Sequence, residues 1–405
     1  MLEPEYLLRV SEGAEAIAET LHNNIIARII KRIAVRLARG DEYVLTALDK
    51  WQLEVLQEAG ILSEEIAQEL ARLTGLELDE IRAAMEDASV RTIAYDNAVY
   101  EAAGLSPSPL TESPYLIRLM QRAYEKTAGE WKNLTGTLAE ATQQTFIREC
   151  DLAYNLVSTG AVSYTEAFAE AIERIVSEGV YIEYPSGHRD TIETATLRCV
   201  RTGISQACSE ITNARMEEMD WDIILVSSHL GARVTDKEDF TNHAWWQGKF
   251  YSKSGKDIRF PPYSVCNEGH VQGIHGANCR HHHGPGDGVH NPFEGYDSEE
   301  NKKRYELEQR QRLLERRIRK TKREVKGLRE AMEAAQTDES RESIKRSYER
   351  KSYLLQKQNK AYSDFCEEHN MKKLSERIKI AQWDRTEAAK ATAAARRRKK
   401  ELENE

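Results

Sequence analysis

The chain has 405 residues, 31% of them charged, and a net charge of −9. That length allows two to four packed domains, and the polarity excludes a membrane-spanning protein: the most apolar early stretch, Ile25 to Leu37, is broken by Arg28, Lys31, Arg32 and Arg36. Six cysteines stand at 150, 199, 208, 266, 279 and 366 with no CxxC pair, which argues against a disulfide framework and fits a reducing compartment. Residues 1–298 hold 27 basic against 46 acidic side chains, whereas residues 299–405 hold 31 against 21. An acidic body followed by a basic tail suits contact with a polyanion or with acidic neighbouring subunits. The first residues lack a basic stretch followed by an apolar run, so no secretory leader is expected.

Taken in order, residues 1–110 read as a module of short helices. Ile25, Ile26, Ile29, Ile30, Ile33 and Leu37 share one helical face, and Trp51 to Ala59 repeats the pattern. Ser63 is a plausible cap, Thr74-Gly75 a stop, and Asp79 the start of a further helix running towards Tyr100. After the Ser106-Pro107-Ser108-Pro109 joint, residues 111–220 read as a helical domain. Its helices are expected near Ser113 to Gly129, Leu138 to Ser158, Tyr164 to Gly179 and Arg189 to Met219. Val180 to Tyr184 is a short β-type run before a Pro185-Ser186-Gly187 turn. Arg198, Arg201 and Thr202 share a helix face, either solvated or in polar contact with the segment that follows.

Residues 221–297 form the third segment, a small α+β domain. Asp222 to Val226 is the clearest strand; Phe250-Tyr251-Ser252 is a second, expected to pair across a turn with Ile258-Arg259-Phe260. From 298 the composition changes to charged heptads. Leu307, Leu314, Leu328 and Ala335 fall on d positions and Ile318, Val325 and Met332 on a, with Gly327 as the weak point. A second run places Tyr348, Leu355 and Tyr362 on a, with Ile344 and Phe365 on d, so an antiparallel coiled-coil hairpin or one kinked rod is expected. Met371 to Glu405 is a third helical candidate, frayed at its basic end. The fold class is therefore mainly α with a small α+β module: a helical N-terminal region, a compact His/Cys-rich domain and C-terminal coiled-coil helices.

The chemistry concentrates between Val226 and Phe293, which holds eight of the eleven histidines, two cysteines and nine glycines. A segment so poor in apolar runs must be held by side-chain networks, tight turns or a metal. Zinc takes four N or S ligands, usually as two closely spaced pairs. The irregular spacing here favours a hydrogen-bonded polar core; the alternative is a structural zinc, with His229, His243, Cys266, His270, His275, Cys279 and His281 as candidate ligands and His229, His243, Cys266 and Cys279 as the chosen four. The run His281-His282-His283 reads as a solvent-facing loop, and Trp245 and Trp246 as the core of this domain. No P-loop, dinucleotide fingerprint, HExxH or nucleophile elbow is present. An HNH-type nuclease would have to assemble His229, His243 and Asn278 without a convincing acid partner. At the far end Arg396, Arg397, Arg398, Lys399 and Lys400 are candidates to contact DNA phosphates.

Five motifs occur in order: Tyr184-Pro185-Ser186-Gly187; Arg198-Cys199-Val200-Arg201-Thr202; Ser227-Ser228-His229 with Gly231-Ala232-Arg233; Trp246-Gln247-Gly248-Lys249; and Gly276-Ala277-Asn278-Cys279-Arg280-His281. Together they resemble the phage minor capsid protein 2 family and, distantly, the Mu-F-like head morphogenesis proteins. The resemblance implies a non-enzymatic structural protein of a tailed-phage virion, made in the host cytoplasm and lodged in the capsid interior or at the portal vertex. It implies as partners the portal protein, the major capsid protein and further copies of this chain, with packaged double-stranded DNA within reach and no membrane. His229, Arg233, His243, Asn278, Cys279 and Arg280 would then cross-brace a small domain, with no cofactor required beyond the zinc alternative. The opposing reading is a metal-dependent nuclease or transferase carried in the virion and ejected with the genome.

Overall fold

The computed structural model describes residues 1–37, 48–184, 186–293 and 295–404. The turn residue Pro185 lies outside them. Among the described residues the architecture is helical with five short strands, and no helix is long and apolar enough to cross a membrane. In chain order the helices are α1 (Pro4–Arg9), α2 (Glu12–Leu37), α3 (Leu48–Ala102), α4 (Pro114–Ser158), α5 (Tyr164–Glu178), α6 (Ile192–Glu218), α7 (His243–Trp246), α8 (Ser298–Ala334), α9 (Asp338–Glu368) and α10 (Arg385–Asn404). The strands are β1 (Tyr181–Glu183), β2 (Arg189–Thr191), β3 (Ile223–Val226), β4 (Phe250–Ser252) and β5 (His283–Pro285). The chain folds into two units, each assembled from three separated stretches: 1–15, 75–132 and 194–309 in one, 16–74, 133–193 and 310–405 in the other.

The short helices expected between Trp51 and Tyr100 are one helix of 55 residues, α3. Its buried positions Val55, Ala59, Leu62, Ile66, Leu70, Leu73, Ile81, Met85, Ala88 and Tyr100 keep spacings of three and four or their multiples. That unbroken stripe outweighs the local stop signals at Ser63 and Gly75, because packing of an apolar face stabilises a helix more than propensity does. The same holds for α4, which runs 45 residues through Gly129 and Gly136 where two helices are expected from the sequence. Arg189–Thr191 opens no helix. It is β2, paired antiparallel with β1, as Ile182 meets Asp190 in register.

In the second unit, α2 buries Leu21, Ile25, Ile29 and Ile33 and is tied to the first half of α3 by Arg28 to Glu69 at 2.8 Å, Arg32 to Glu65 at 2.8 Å and Arg36 to Glu58 at 2.8 Å. A capping box at Ser163 and Glu166 opens α5. The heptad tail is a hairpin and not a kinked rod. Tyr362 donates to Glu315 at 3.1 Å and Lys351 pairs with Glu324 at 2.8 Å, so residue numbers rise on α9 as they fall on α8. Residues 371–384 form turns and a short 3-10 segment, and only then α10, which stays helical through Asn404. It buries Ala391, Ala394 and Ala395, and Arg397 reaches Glu349 on α9 at 2.5 Å.

In the first unit, the 221–293 segment builds a three-stranded antiparallel sheet in the order β4-β3-β5. Leu225 sits opposite Phe250 on one side and Gly284 on the other. β4 therefore pairs with β3; the expected partner at Ile258 is fully exposed and belongs to no strand. Tyr100, Met216, Ile224, Val226, Trp246, Tyr251, Tyr263, Cys266 and Ile274 form the core behind the sheet, with Trp221 and Trp245 packed at its edge.

Candidate functional site

Three elements carry the histidines and cysteines into one place. After β3, Ser227 exchanges two hydrogen bonds with His282, its N–H donating to the His282 carbonyl and its hydroxyl accepting the His282 N–H, each at 2.9 Å. The single turn of α7 presents His243 beside Trp246. The third element is the loop from Cys266 to Arg280, which has almost no regular structure and is held by turns. Asn267, His275 and Asn278 all adopt left-handed backbone, with φ of 47°, 60° and 60°. Gly276 is needed because a Cβ there would stand 2.7 Å from the His270 carbonyl oxygen. Ala277 N–H to Val271 O at 2.8 Å and Ile274 N–H to Cys266 O at 3.0 Å close the loop.

This loop delivers Cys279 between two imidazoles. The Cys279 Sγ lies 3.8 Å from His243 Nδ1 and 3.7 Å from His281 Nδ1, and all three side chains are buried. Each imidazole is pinned from its far nitrogen. His243 Nε2 is 2.9 Å from the Gln272 carbonyl oxygen, which can only accept, so Nε2 carries the proton. His281 Nε2 is 3.0 Å from Gln247 Oε1. That amide oxygen is identified by the His229 main-chain N–H donating to it at 3.0 Å, so Nε2 carries the proton here too. Both Nδ1 lone pairs consequently face the sulfur. Burial pushes His243 down to about 4, holds His281 well below the usual imidazole range and raises the Cys279 thiol.

A second cluster lies on the same loop: His275 and His283, both buried, with Glu268 on the exposed rim. His275 Nδ1 is 2.8 Å from the Ser205 hydroxyl of α6, and its Nε2 is 2.9 Å from His283 Nδ1, which the Tyr263 hydroxyl also meets at 2.9 Å. Glu268 is engaged by Ser209 and by Asn213 of α6. Burial lowers His275 to about 4 and His283 to about 3. The run His281-His282-His283 is thus interior to the domain and not a solvent-facing loop: β5 pairing and the Ser227 exchange turn all three rings into the protein.

Of the four residues read as zinc ligands, His243 and Cys279 are brought together. His229 stacks on His281, ring centroids 4.5 Å apart, with its Nδ1 facing Arg280 at 3.2 Å. Cys266 lies among the apolar core residues, outside both clusters. Arg233 braces the loop through the carbonyls of Gln272 and Ala277, at 3.3 and 3.1 Å. Arg280 is 3.3 Å from Glu308. The side chain of Asn278 is exposed, and the residue acts through its backbone turn. The polar face of α6 divides its contacts: Arg201 donates to the Leu8 carbonyl at 2.8 Å, while Ser205 meets the loop.

Sequence does not mark Gln247 or Asn301 as site residues. Gln247 stands inside one of the five motifs, but only its position between His229 and His281 gives it a role. Asn301 is buried at the start of α8, where its amide oxygen accepts the N–H groups of Gly231 and Ala232 at 2.9 and 3.0 Å. Its signal is hidden in a charged heptad stretch. The basic run lies on α10, with Arg397 on Glu349, Arg398 on Glu401 at 3.1 Å and Lys399 near Glu403 at 3.5 Å.

Among known proteins, the phage minor capsid protein 2 family has a model that matches residues 2–356. No curated protein and no solved structure matches the chain.

Proposed function

The chain belongs to the phage minor capsid protein 2 family and is a phage minor capsid protein; from that premise we propose that it is a non-enzymatic structural part of the virion, seated at the portal vertex. Its partners are the portal protein, the major capsid protein and further copies of itself around the portal axis. The observation that carries this reading is the extent of the family match, which takes in the long helices as well as the His/Cys domain. The burial of His243, His275 and His281 supports the structural role: a general base must reach a substrate proton, and these three are enclosed.

The test is protein mass spectrometry of gradient-purified particles, with chemical crosslinking before disruption. Stoichiometric presence with crosslinks to portal subunits is expected. Absence from particles, or presence without any link to portal, overturns the assignment. Contact with packaged DNA belongs to the same proposal. Because Arg397, Arg398 and Lys399 already sit beside carboxylates, replacing residues 396–400 by alanine should lower the slope of log K against log salt by about 2 or less.

A further inference from the structure

We propose that His243 Nδ1, Cys279 Sγ and His281 Nδ1 bind a zinc-type divalent cation, with a water completing the tetrahedron. The buried thiol has one S–H, and three acceptors lie around it: the two Nδ1 atoms and the His281 carbonyl oxygen at 3.8 Å. Since both imidazoles carry their proton on Nε2, at least one Nδ1 lone pair faces the sulfur with nothing between them. A buried acceptor left without a donor loses its hydration and gains nothing in return. A cation at the centre satisfies all three ligand atoms at once, and the thiol proton leaves to solvent as the metal–sulfur bond forms.

The separations match a tetrahedral ion. Zinc–sulfur bonds of about 2.3 Å and zinc–nitrogen bonds of about 2.0–2.1 Å at a tetrahedral angle place S and N about 3.6 Å apart. The observed separations are 3.8 and 3.7 Å. The Gln272 carbonyl and the Gln247 amide oxygen hold the far N–H groups, the arrangement that fixes tautomer and ring plane in metal-bound histidines. One thiolate and two imidazoles select zinc or its d-block neighbours over magnesium or calcium.

The Glu268, His275 and His283 cluster differs in this respect. His275 Nδ1 meets the Ser205 hydroxyl at 2.8 Å, and its Nε2 meets His283 Nδ1 at 2.9 Å, a bond that needs one proton on either ring. Neutral imidazoles supply that proton themselves.

The experiment uses the full-length protein, dialysed against metal-free buffer and then titrated with Zn²⁺ or Co²⁺. Expected are one retained metal per chain, a thiolate-to-cobalt charge-transfer band, and a melting temperature that rises with zinc and falls with chelator. Cys279→Ser, checked for folding by circular dichroism, should lose the band. Cys266→Ser and Glu268→Gln should keep it, and Gln247→Ala should weaken zinc binding by about 10–100-fold. A wild-type protein that retains no metal or shows no thiolate band overturns the proposal without recourse to any variant. So does a band that survives Cys279→Ser or disappears in Cys266→Ser.

Discussion

Asn278 sits at φ 60° immediately before the cysteine that two imidazoles face. A residue with a Cβ enters that region at roughly 1–2 kcal/mol, and asparagine does so more easily because its amide can bond locally. Asn278→Ala is therefore expected to lose about 1 kcal/mol of stability, while Asn278→Gly should stay within a few tenths. Urea denaturation of the two variants checks this, and an alanine variant as stable as the glycine one would show that the turn is not strained. His275 is held at the same φ, yet it is neither glycine nor asparagine and is buried. Its conformation is sustained by the hydrogen bonds of both ring nitrogens. Sequence can mark these residues as a group by composition. It cannot say which act through side chains and which through backbone, because a left-handed φ leaves no trace beyond a weak preference for Asn and Gly.

Among the helices, glycine carries two meanings that sequence cannot separate. Gly129 stands inside α4, where an added Cβ would have no neighbour within 4 Å, so it is merely a weak helix former. Gly129→Ala should stabilise by about 0.5–1 kcal/mol. Gly327 on α8 looks equally weak in the heptad, but a Cβ there would lie 2.7 Å from Val176 and 3.2 Å from Ile30. Gly327→Ala should therefore destabilise by about 1–3 kcal/mol through overpacking, despite the better helix propensity. Thermal melts of the pair decide it, and the two changes must have opposite signs. The apolar periodicity of α2, the strand at Ile223–Val226 and the heptads are all legible in the residues alone, since burial of one face imposes a period on the chain. The continuity of α3 and α4 is not: local stop signals are worth about a kcal/mol, and a long packed stripe overrides them.

At the scale of the molecule the two units should respond to pH at opposite ends. Glu77, in the first, is buried, which pushes its carboxyl up to about 8. Because that folded value lies above the unfolded one near 4.5, its contribution is full below about pH 4.5 and is lost as pH rises through 8. Glu193, in the second, lies 3.2 Å from His22 and 2.5 Å from Arg323. Burial alone would raise its carboxyl, but these partners outweigh it and hold it well below the usual range. Its contribution is present above the unfolded value and is lost as pH falls below it. Hydrogen exchange by mass spectrometry should show Glu77→Gln gaining on wild type in residues 75–132 between about pH 5 and 8. Glu193→Gln should lose about 3–5 kcal/mol in the second unit at neutral pH, with the gap closing in acid. Uniform changes across both units would count against the assignment.

By itself the sequence determined the class of the fold, the family and the address of the unusual chemistry. Composition and periodicity are set by solvent, and motif order survives without coordinates. Only the tertiary structure decided that the His281-His282-His283 run is interior, that His281 and not His229 or Cys266 joins His243 and Cys279, and that three distant stretches of chain make each unit. Those outcomes depend on which side chains meet across a loop of left-handed turns. Such meetings depend on distances in space that no spacing along the chain encodes.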